Sequence, residues 1–262
     1  MAQQTQVRRV VPFFNGWIKK FPTLTSLARA SKPEVLAQWS GLGYNNRALR
    51  LHRLSKEIVG NSGARLPRDV EALLRLPGIG KYTAHAIACF AFGEKLPVVD
   101  VNVRRVFSRV FWKISAADDL KPEKVIWELA AAHLPSRGVS EWNQALMDLG
   151  AVMCTARNPR CHDCPINDRC ASAFAENFAK KTRARKKDEP SFKGIPRRIY
   201  RGRILKALHQ KPLTLRQLGA SVVRQFHPRD IKWIESVVHK MQHDDLVIIR
   251  GAGGRRIIRI AQ

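Results

Sequence analysis

Acidic residues are scarce in this chain: 21 Asp and Glu stand against 47 Lys and Arg in 262 residues, a formal charge of +26 and a pI near 10.8. A surface that basic seeks a polyanion, and nucleic acid is the natural one, bound more weakly as salt rises. Other absences narrow the class further. No apolar run is long enough to cross a bilayer, and no N-terminal signal pattern is present. No long amphipathic helix with a bulky apolar face and a basic rim stands out, so a membrane surface is the poorer partner. Cysteines spaced as a disulfide framework are missing, which points to a reducing, cytosolic setting. At this length one sizeable domain and a small one can each bury a core.

What is present, from Gln4 to about Gly150, is helical patterning. Val7, Val10, Val11, Phe14 and Ile18 recur at helical spacing, as do Val103, Val106, Phe107, Val110 and Phe111. Breaks fall at Pro22, Pro33, Gly41 to Gly43, Pro77 to Gly80, Pro97 and Pro135. No strand-like alternation of any length interrupts them, so this portion is predicted all-α. Residues 176–200 read as a charged, weakly apolar linker. A smaller unit, 201–262, then resumes. Ile204, Leu205 and Leu208 mark one helix and Thr214 a cap for a second. Ile231, Ile234, Val237, Val238 and Met241 form the buried stripe of a third. Two β-rich runs, Leu246 to Arg250 and Arg255 to Ile260, flank Gly251-Ala-Gly-Gly, a hairpin signal. Three helices and a basic hairpin are the layout of a winged helix. Residues 182–262 hold 20 Lys and Arg against 6 Asp and Glu, so the basic wing is expected to track phosphates.

Two motifs and one carboxylate carry the chemistry. Cys154, Cys161, Cys164 and Cys170 lie at C-x6-C-x2-C-x5-C. Four thiolates within seventeen residues can wrap one metal centre, and either a structural zinc or a cubane iron–sulfur cluster satisfies them. Zinc modules usually pair two C-x2-C knuckles, and here only the middle gap is two. Cys89, in an apolar run, reads as a small core residue, and His162 as a surface residue. Leu76-Pro-Gly-Ile-Gly-Lys-Tyr-Thr83 joins two helical runs through a glycine turn, a helix–hairpin–helix. There Gly78 and Gly80 are expected to supply positive φ and close approach. The amides opening the second helix can then face a phosphate. About twenty residues on, Asp100 precedes the helical run Asn102–Phe111, where an ordinary N-cap is the plain reading.

The order hairpin, Asp, cysteine ladder resembles the helix–hairpin–helix DNA glycosylase superfamily, in its endonuclease III and MutY branch. Gln3-Gln4-Thr5-Gln6-Val7, Gly41-Leu-Gly-Tyr44 and Asn143-Gln-Ala-Leu-Met-Asp-Leu-Gly150 are similar to MutY-type adenine glycosylases. The likeness covers roughly residues 1–175. It implies an all-α helix–hairpin–helix core with a [4Fe–4S] cluster loop at 154–170, here followed by the small winged-helix-like α+β unit. It also implies a monomeric, cytoplasmic, nucleoid-associated enzyme that flips adenine out of a mispair with 8-oxoguanine or guanine in double-stranded DNA. The N-glycosidic bond is then hydrolysed. By the same resemblance Asp100 is the catalytic carboxylate that stabilises an oxocarbenium sugar, with Asn102 supporting it. Tyr82 stands where the lyase-active branch has a nucleophilic lysine, and a Tyr cannot form a Schiff base, so a monofunctional enzyme is implied. Lys81, Gly78 and Gly80 match phosphate-facing positions. Gln4 and Tyr44 match residues that wedge into the base stack, with Gln3, Thr5 and Leu42 nearby.

The chain departs from the pattern in three places. The family's general-acid Glu lies two residues before the Met that aligns with Met1, so this chain lacks it. A complete enzyme is expected to be encoded further upstream. A larger Nudix-like domain common in the family is replaced by the basic C-terminal unit. Val101 replaces a Gly. Two alternatives therefore stand beside the adenine reading: a thymine glycosylase acting on G·T mispairs, and a mismatch-binding protein with impaired catalysis.

Overall fold

The computed structural model describes residues 1–2, 5–114, 120–175, 178, 189–251 and 256–262. Packing divides the chain into two compact units that do not follow chain order. Met1–Leu66 and Lys187–Gln262 form one; Pro67–Lys186 forms the other.

The first unit begins with α1 (Val7–Lys20), α2 (Leu24–Arg29), α3 (Lys32–Trp39) and α4 (Asn46–Ser62). Thr23 and Ser31 start α2 and α3 through capping boxes with Ser26 and Glu34. The unit resumes with a short hairpin, β1 (Ser191–Phe192) and β2 (Ile195–Pro196), inside the stretch that composition marked as linker. Then follow α10 (Arg197–Gln210), β3 (Leu213–Thr214), α11 (Leu215–Val222), α12 (Ile231–His243), β4 (Val247–Arg250) and β5 (Ile257–Ile260). β5 lies between β3 and β4, antiparallel to both, with Leu213 opposite Ile258 and Val247 opposite Ile260. This is the winged-helix-like unit, with Thr214 capping α11 as expected. The two-residue β3 carries too short a pattern to register in the sequence.

One core unites the two halves of this unit. Trp17, Trp39 and Leu49 share it with Tyr200, Leu218 and Ile258. Asp245, at φ 59, fastens the seam by accepting from Lys32 at 3.1 Å and Arg53 at 2.7 Å. α1 contains a reversal. Val10 and Trp17 face the core, while Val7, Val11, Phe14 and Ile18 are exposed. Their recurrence predicted the helix, but this stripe points outward with Arg8 and Lys19 beside it. An amphipathic face of the kind that did not stand out in the sequence is therefore present.

The second unit holds α5 (Val70–Leu74), α6 (Lys81–Phe92), α7 (Val101–Phe111), α8 (Glu123–Ala132) and α9 (Val139–Asp148). A π-helical turn, Leu149–Met153, then delivers the chain to the cysteine loop. Val103 and Phe107 of α7 pack on Ile126, Trp127 and Ala130 of α8. Cys89 is fully buried with Val98 and Val139, the core role expected of it. Among the described residues no helix is long and apolar enough to cross a membrane.

Candidate functional site

The hairpin forms as its residues dictate. Asp69 caps α5 by accepting from Ala72 N–H at 2.7 Å. Gly78 takes φ 83, open to glycine at little cost. Gly80 corrects the expectation: its φ is −100 and a Cβ there would meet nothing within 4 Å. It serves as the N-cap of α6, where no acidic residue in the first turn offsets the positive end of the helix. Lys81 sits over the Trp127 ring at 4.2 Å, a cation–π contact. His85 packs on the same ring at 4.5 Å and lies 3.0 Å from the Pro97 carbonyl through Nδ1. A carbonyl only accepts, so Nδ1 carries the proton. Burial, and then the Lys81 charge, hold the His85 pKa below its ordinary value, which keeps the ring neutral.

That carbonyl belongs to the segment leading into Asp100, and Asn143 grips the same segment. Its Oδ1 accepts from Val98 N–H at 2.9 Å and its Nδ2 donates to Leu96 at 2.9 Å and Val139 at 3.0 Å. Asp100 then caps α7: Oδ1 accepts from Asn102 N–H at 2.8 Å and Val103 N–H at 2.7 Å. Oδ2 accepts from the Asn102 side-chain amide at 2.9 Å. The N-cap reading and the catalytic reading thus concern one carboxylate, held in place by three donors. Burial pushes the Tyr82 phenol pKa up, and the Asp100 charge adds to it, so Tyr82 remains a neutral hydroxyl near that carboxylate.

Behind Asn102 lies Arg105, buried, which sequence reasoning missed. Its Nη2 donates to Asn102 Oδ1 at 2.9 Å and to the Gly150 carbonyl at 2.5 Å, and its Nε to the Cys154 carbonyl at 2.8 Å. Asp100, Asn102, Arg105 and the first cysteine are one hydrogen-bonded series. Arg109, one turn on, donates to Cys154 Sγ at 3.3 Å and to the carbonyls of Thr155 and Ala156 at 2.8 and 2.9 Å. Its guanidinium stacks on Phe178 at 4.3 Å. Helical spacing from Asn102, i+3 and i+7, was the only sequence signal for either arginine.

Cys154, Cys161, Cys164 and Cys170 line a single cavity with Arg109 and Phe178. Burial, and then the other three cysteines, raise the Cys170 thiol pKa. The four cysteines around a mostly apolar cavity fit a [4Fe–4S] cluster, and Arg109 supplies a charged donor to one sulfur. His162 is exposed and packs on Phe174 at 4.8 Å, outside the ligand set.

In the first unit, Gly41 (φ 96) and Gly43 (φ 81) shape a turn that leaves Tyr44 63% exposed at φ 50, a costly conformation for a non-glycine residue. Arg47 holds this turn. Its guanidinium lies 5.4 Å from the rings of both Tyr44 and Trp39 and donates to the Gly43 carbonyl at 3.3 Å. It also donates to the Met1 carbonyl at 2.6 Å and to Thr5 Oγ1 at 3.0 Å. The turn and the N-terminal stretch are thereby joined. Gln3 and Gln4 lie outside the described residues. Leu42, expected beside them at the DNA, is instead buried at 3% exposure and braces the turn from within.

Comparison with known proteins agrees with this geometry. Residues 1–132 match the HhH-GPD superfamily of base excision DNA repair proteins, and residues 154–170 match the iron–sulfur binding domain of endonuclease III. An adenine DNA glycosylase of Mycolicibacterium smegmatis is 39% identical over 253 residues, 96% of this chain and 80% of the relative. The adenine DNA glycosylase of Homo sapiens is 42% identical over 171 residues, 65% of this chain and 31% of the relative. A solved thermostable thymine-DNA glycosylase superposes with a TM-score of 0.60 at 32% identity, covering 65% of this chain and 79% of that one. With a glycine-turn hairpin, a capped and buttressed Asp100 and a four-cysteine loop suited to [4Fe–4S], the chain belongs to the HhH-GPD superfamily of base excision DNA repair glycosylases.

Proposed function

We propose that this protein hydrolyses the N-glycosidic bond of adenine mispaired with 8-oxoguanine or guanine in double-stranded DNA. The observation that carries the reading is the Asp100 carboxylate fixed in place by Asn102 and Val103, with the un-ionised Tyr82 nearby and no amine at that position. As the C1′–N9 bond breaks, positive charge grows on the sugar. A fixed carboxylate opposes it without reorganising. Water adds its oxygen to C1′ and loses a proton; adenine leaves with the bonding pair and gains one. Both Asp100 oxygens already accept hydrogen bonds, so the proton for the base comes from another group. Lacking an amine nucleophile, Tyr82 cannot form a Schiff base, and the reaction stops at the abasic site.

Around this centre, the hairpin amides after Gly78 and Gly80, with Lys81, face a phosphate. Tyr44 and Gln4 wedge the stack, with Gln3 and Thr5 nearby and Leu42 bracing the Tyr44 turn from within. When bound, the [4Fe–4S] cluster supplies iron–thiolate bonds that tie the two ends of loop 154–170. Exposed Arg157, Arg160 and Arg169 on that loop then face DNA. Residues 1–175 carry the chemistry, and 201–262 add charge. The protein acts as a monomer on cytoplasmic, nucleoid DNA.

A second reading, thymine release from G·T mispairs, is favoured by the 32% identical thymine-DNA glycosylase structure. Single-turnover base release from duplexes with one A·8-oxoguanine or one G·T pair decides between them. Adenine release is expected, reduced by about 10²–10³ in Asp100→Asn. Because Asn caps a helix about as well as Asp, that variant should keep its stability. Activity unchanged in Asp100→Asn would reduce Asp100 to a cap. Thymine release alone would establish the second reading, and tight mismatch binding without any release would leave a binding protein.

A further inference from the structure

The winged-helix-like unit offers a second surface. We infer that the outward face of α12, with the base of the β4–β5 hairpin, grips duplex DNA through its phosphates, in a different unit from the site around Asp100. The inference takes DNA as the substrate, as the proposed function does, but does not depend on which base is released.

α12 has two clean faces. Ile234, Val237, Val238 and Met241 are buried. Opposite them Lys232, Ser236, His239 and His243 follow one another at i, i+4, i+7 and i+11, with Lys240 alongside, all exposed. The sheet order places β5 between β3 and β4, so α10, α11 and α12 pack on one three-stranded sheet that ends in a hairpin. In helix-turn-helix proteins the second helix of the pair, here α12 after α11, is the one that enters a groove.

Charge selects the partner. Residues 201–262 contain 13 Lys and Arg and 4 Asp and Glu. All four carboxylates are engaged within the unit: Asp230 by Lys193 at 2.6 Å, Glu235 by Arg256 at 2.8 Å, Asp244 by Arg201 at 2.7 Å, and Asp245 by Lys32 and Arg53. No unpaired acid lies on the α12 stripe to repel a phosphate, and exposed Arg250 closes β4. Exposed large apolar residues in 201–262 are limited, among the described residues, to Ile257, which argues against an apolar protein partner. The 96% coverage by the Mycolicibacterium relative takes in most of this unit, so it accompanies the glycosylase core there as well.

The test uses the full chain and a 30-base-pair undamaged duplex, with binding followed against salt. Lys232→Gln/Lys240→Gln/Arg250→Gln should lower the slope of log K against log salt by about 2–3, near 0.9 for each phosphate that is no longer neutralised. Ser236→Glu, which leaves every cation in place, should weaken binding several-fold. Single-turnover base release at saturating enzyme should stay within about twofold, since every altered residue lies outside the unit that holds Asp100. Lys206→Gln/Arg216→Gln, on α10 and α11, serves as the control for charge removed elsewhere in the unit. An unchanged slope in the triple variant, or an equal drop in the control, would overturn the inference. So would an unaffected Ser236→Glu. Failure to release adenine, with the slope change intact, would strike only the proposed reaction.

Discussion

A Cβ placed on Gly150 would stand 2.7 Å from the Cβ of Asn102, closer than side chains tolerate. Gly150 lies in the π-helical turn that precedes Cys154, and Asn102 holds Asp100. The cysteine loop and the carboxylate are therefore neighbours through a missing methyl group. Gly150→Ala should push Asn102 aside and release its amide from Asp100 Oδ2. Base release is expected to fall by up to about 10²-fold, the scale of an ångström of misplacement. Stability should fall by about 1–3 kcal/mol, as for overpacking. Full activity in a folded Gly150→Ala protein would show that Asn102 does not position Asp100.

Arg109 addresses the cluster rather than the carboxylate. Arg109→Lys keeps the charge but cannot reach Cys154 Sγ, Thr155 and Ala156 together, because an ammonium lacks the planar fork. The variant should purify with less iron per chain and lose its iron–sulfur absorbance faster under air. Iron content equal to the parent would mean the guanidinium adds nothing to the cluster's retention.

Arg47 joins two stretches expected at the DNA. Arg47→Met should loosen both the Tyr44 turn and the Met1–Thr5 stretch, weakening mispair binding by about tenfold, near 1.4 kcal/mol. Undamaged duplex should be less affected, since the stack is not opened there. Arg47→Lys separates causes: if it restores mispair binding, charge alone is at work, and the fork is not needed.

The pH response follows from His85. Its folded pKa lies below the ordinary value of 6.5 because the ring is buried, so the unfolded chain takes up the proton more readily. Its contribution to stability is whole above pH 6.5 and is lost as pH falls below that value toward the folded pKa. The unfolding midpoint should drop between pH 7 and pH 5. In His85→Gln, whose amide can still donate to Pro97, the drop should be smaller. Equal drops in the two proteins would assign the pH response to other groups, such as His52 and His209, whose pKa values burial also lowers.

Much of the site was legible because its signals are local. Asp100 announces a cap from its place before an apolar helix. Gly78 answers a turn, Thr214 a capping box, and four cysteines a loop around one centre. Leu42 and Gly80 were misplaced for a related reason: motif membership says nothing of which way a side chain points or which φ a glycine takes. Arg105, Arg109, Asn143 and Gly150 could not be assigned roles. Each acts on a residue or backbone group 45 or more positions away, as in Arg105 to Gly150 and Asn143 to Val98.

By itself, then, the amino-acid order determined where helices begin, where the chain turns, what the cysteines can bind and that the partner is a polyanion. These follow from backbone hydrogen bonds within a turn, from glycine's conformational freedom and from summed charge. Only the tertiary structure decided that residues 1–66 share a core with 187–262, that α1 turns Val7, Val11, Phe14 and Ile18 outward, and that Arg105 links the loop to Asp100. Burial and long-range hydrogen bonds depend on which surfaces meet after the chain has closed its loops, and periodicity along the chain carries no record of that choice.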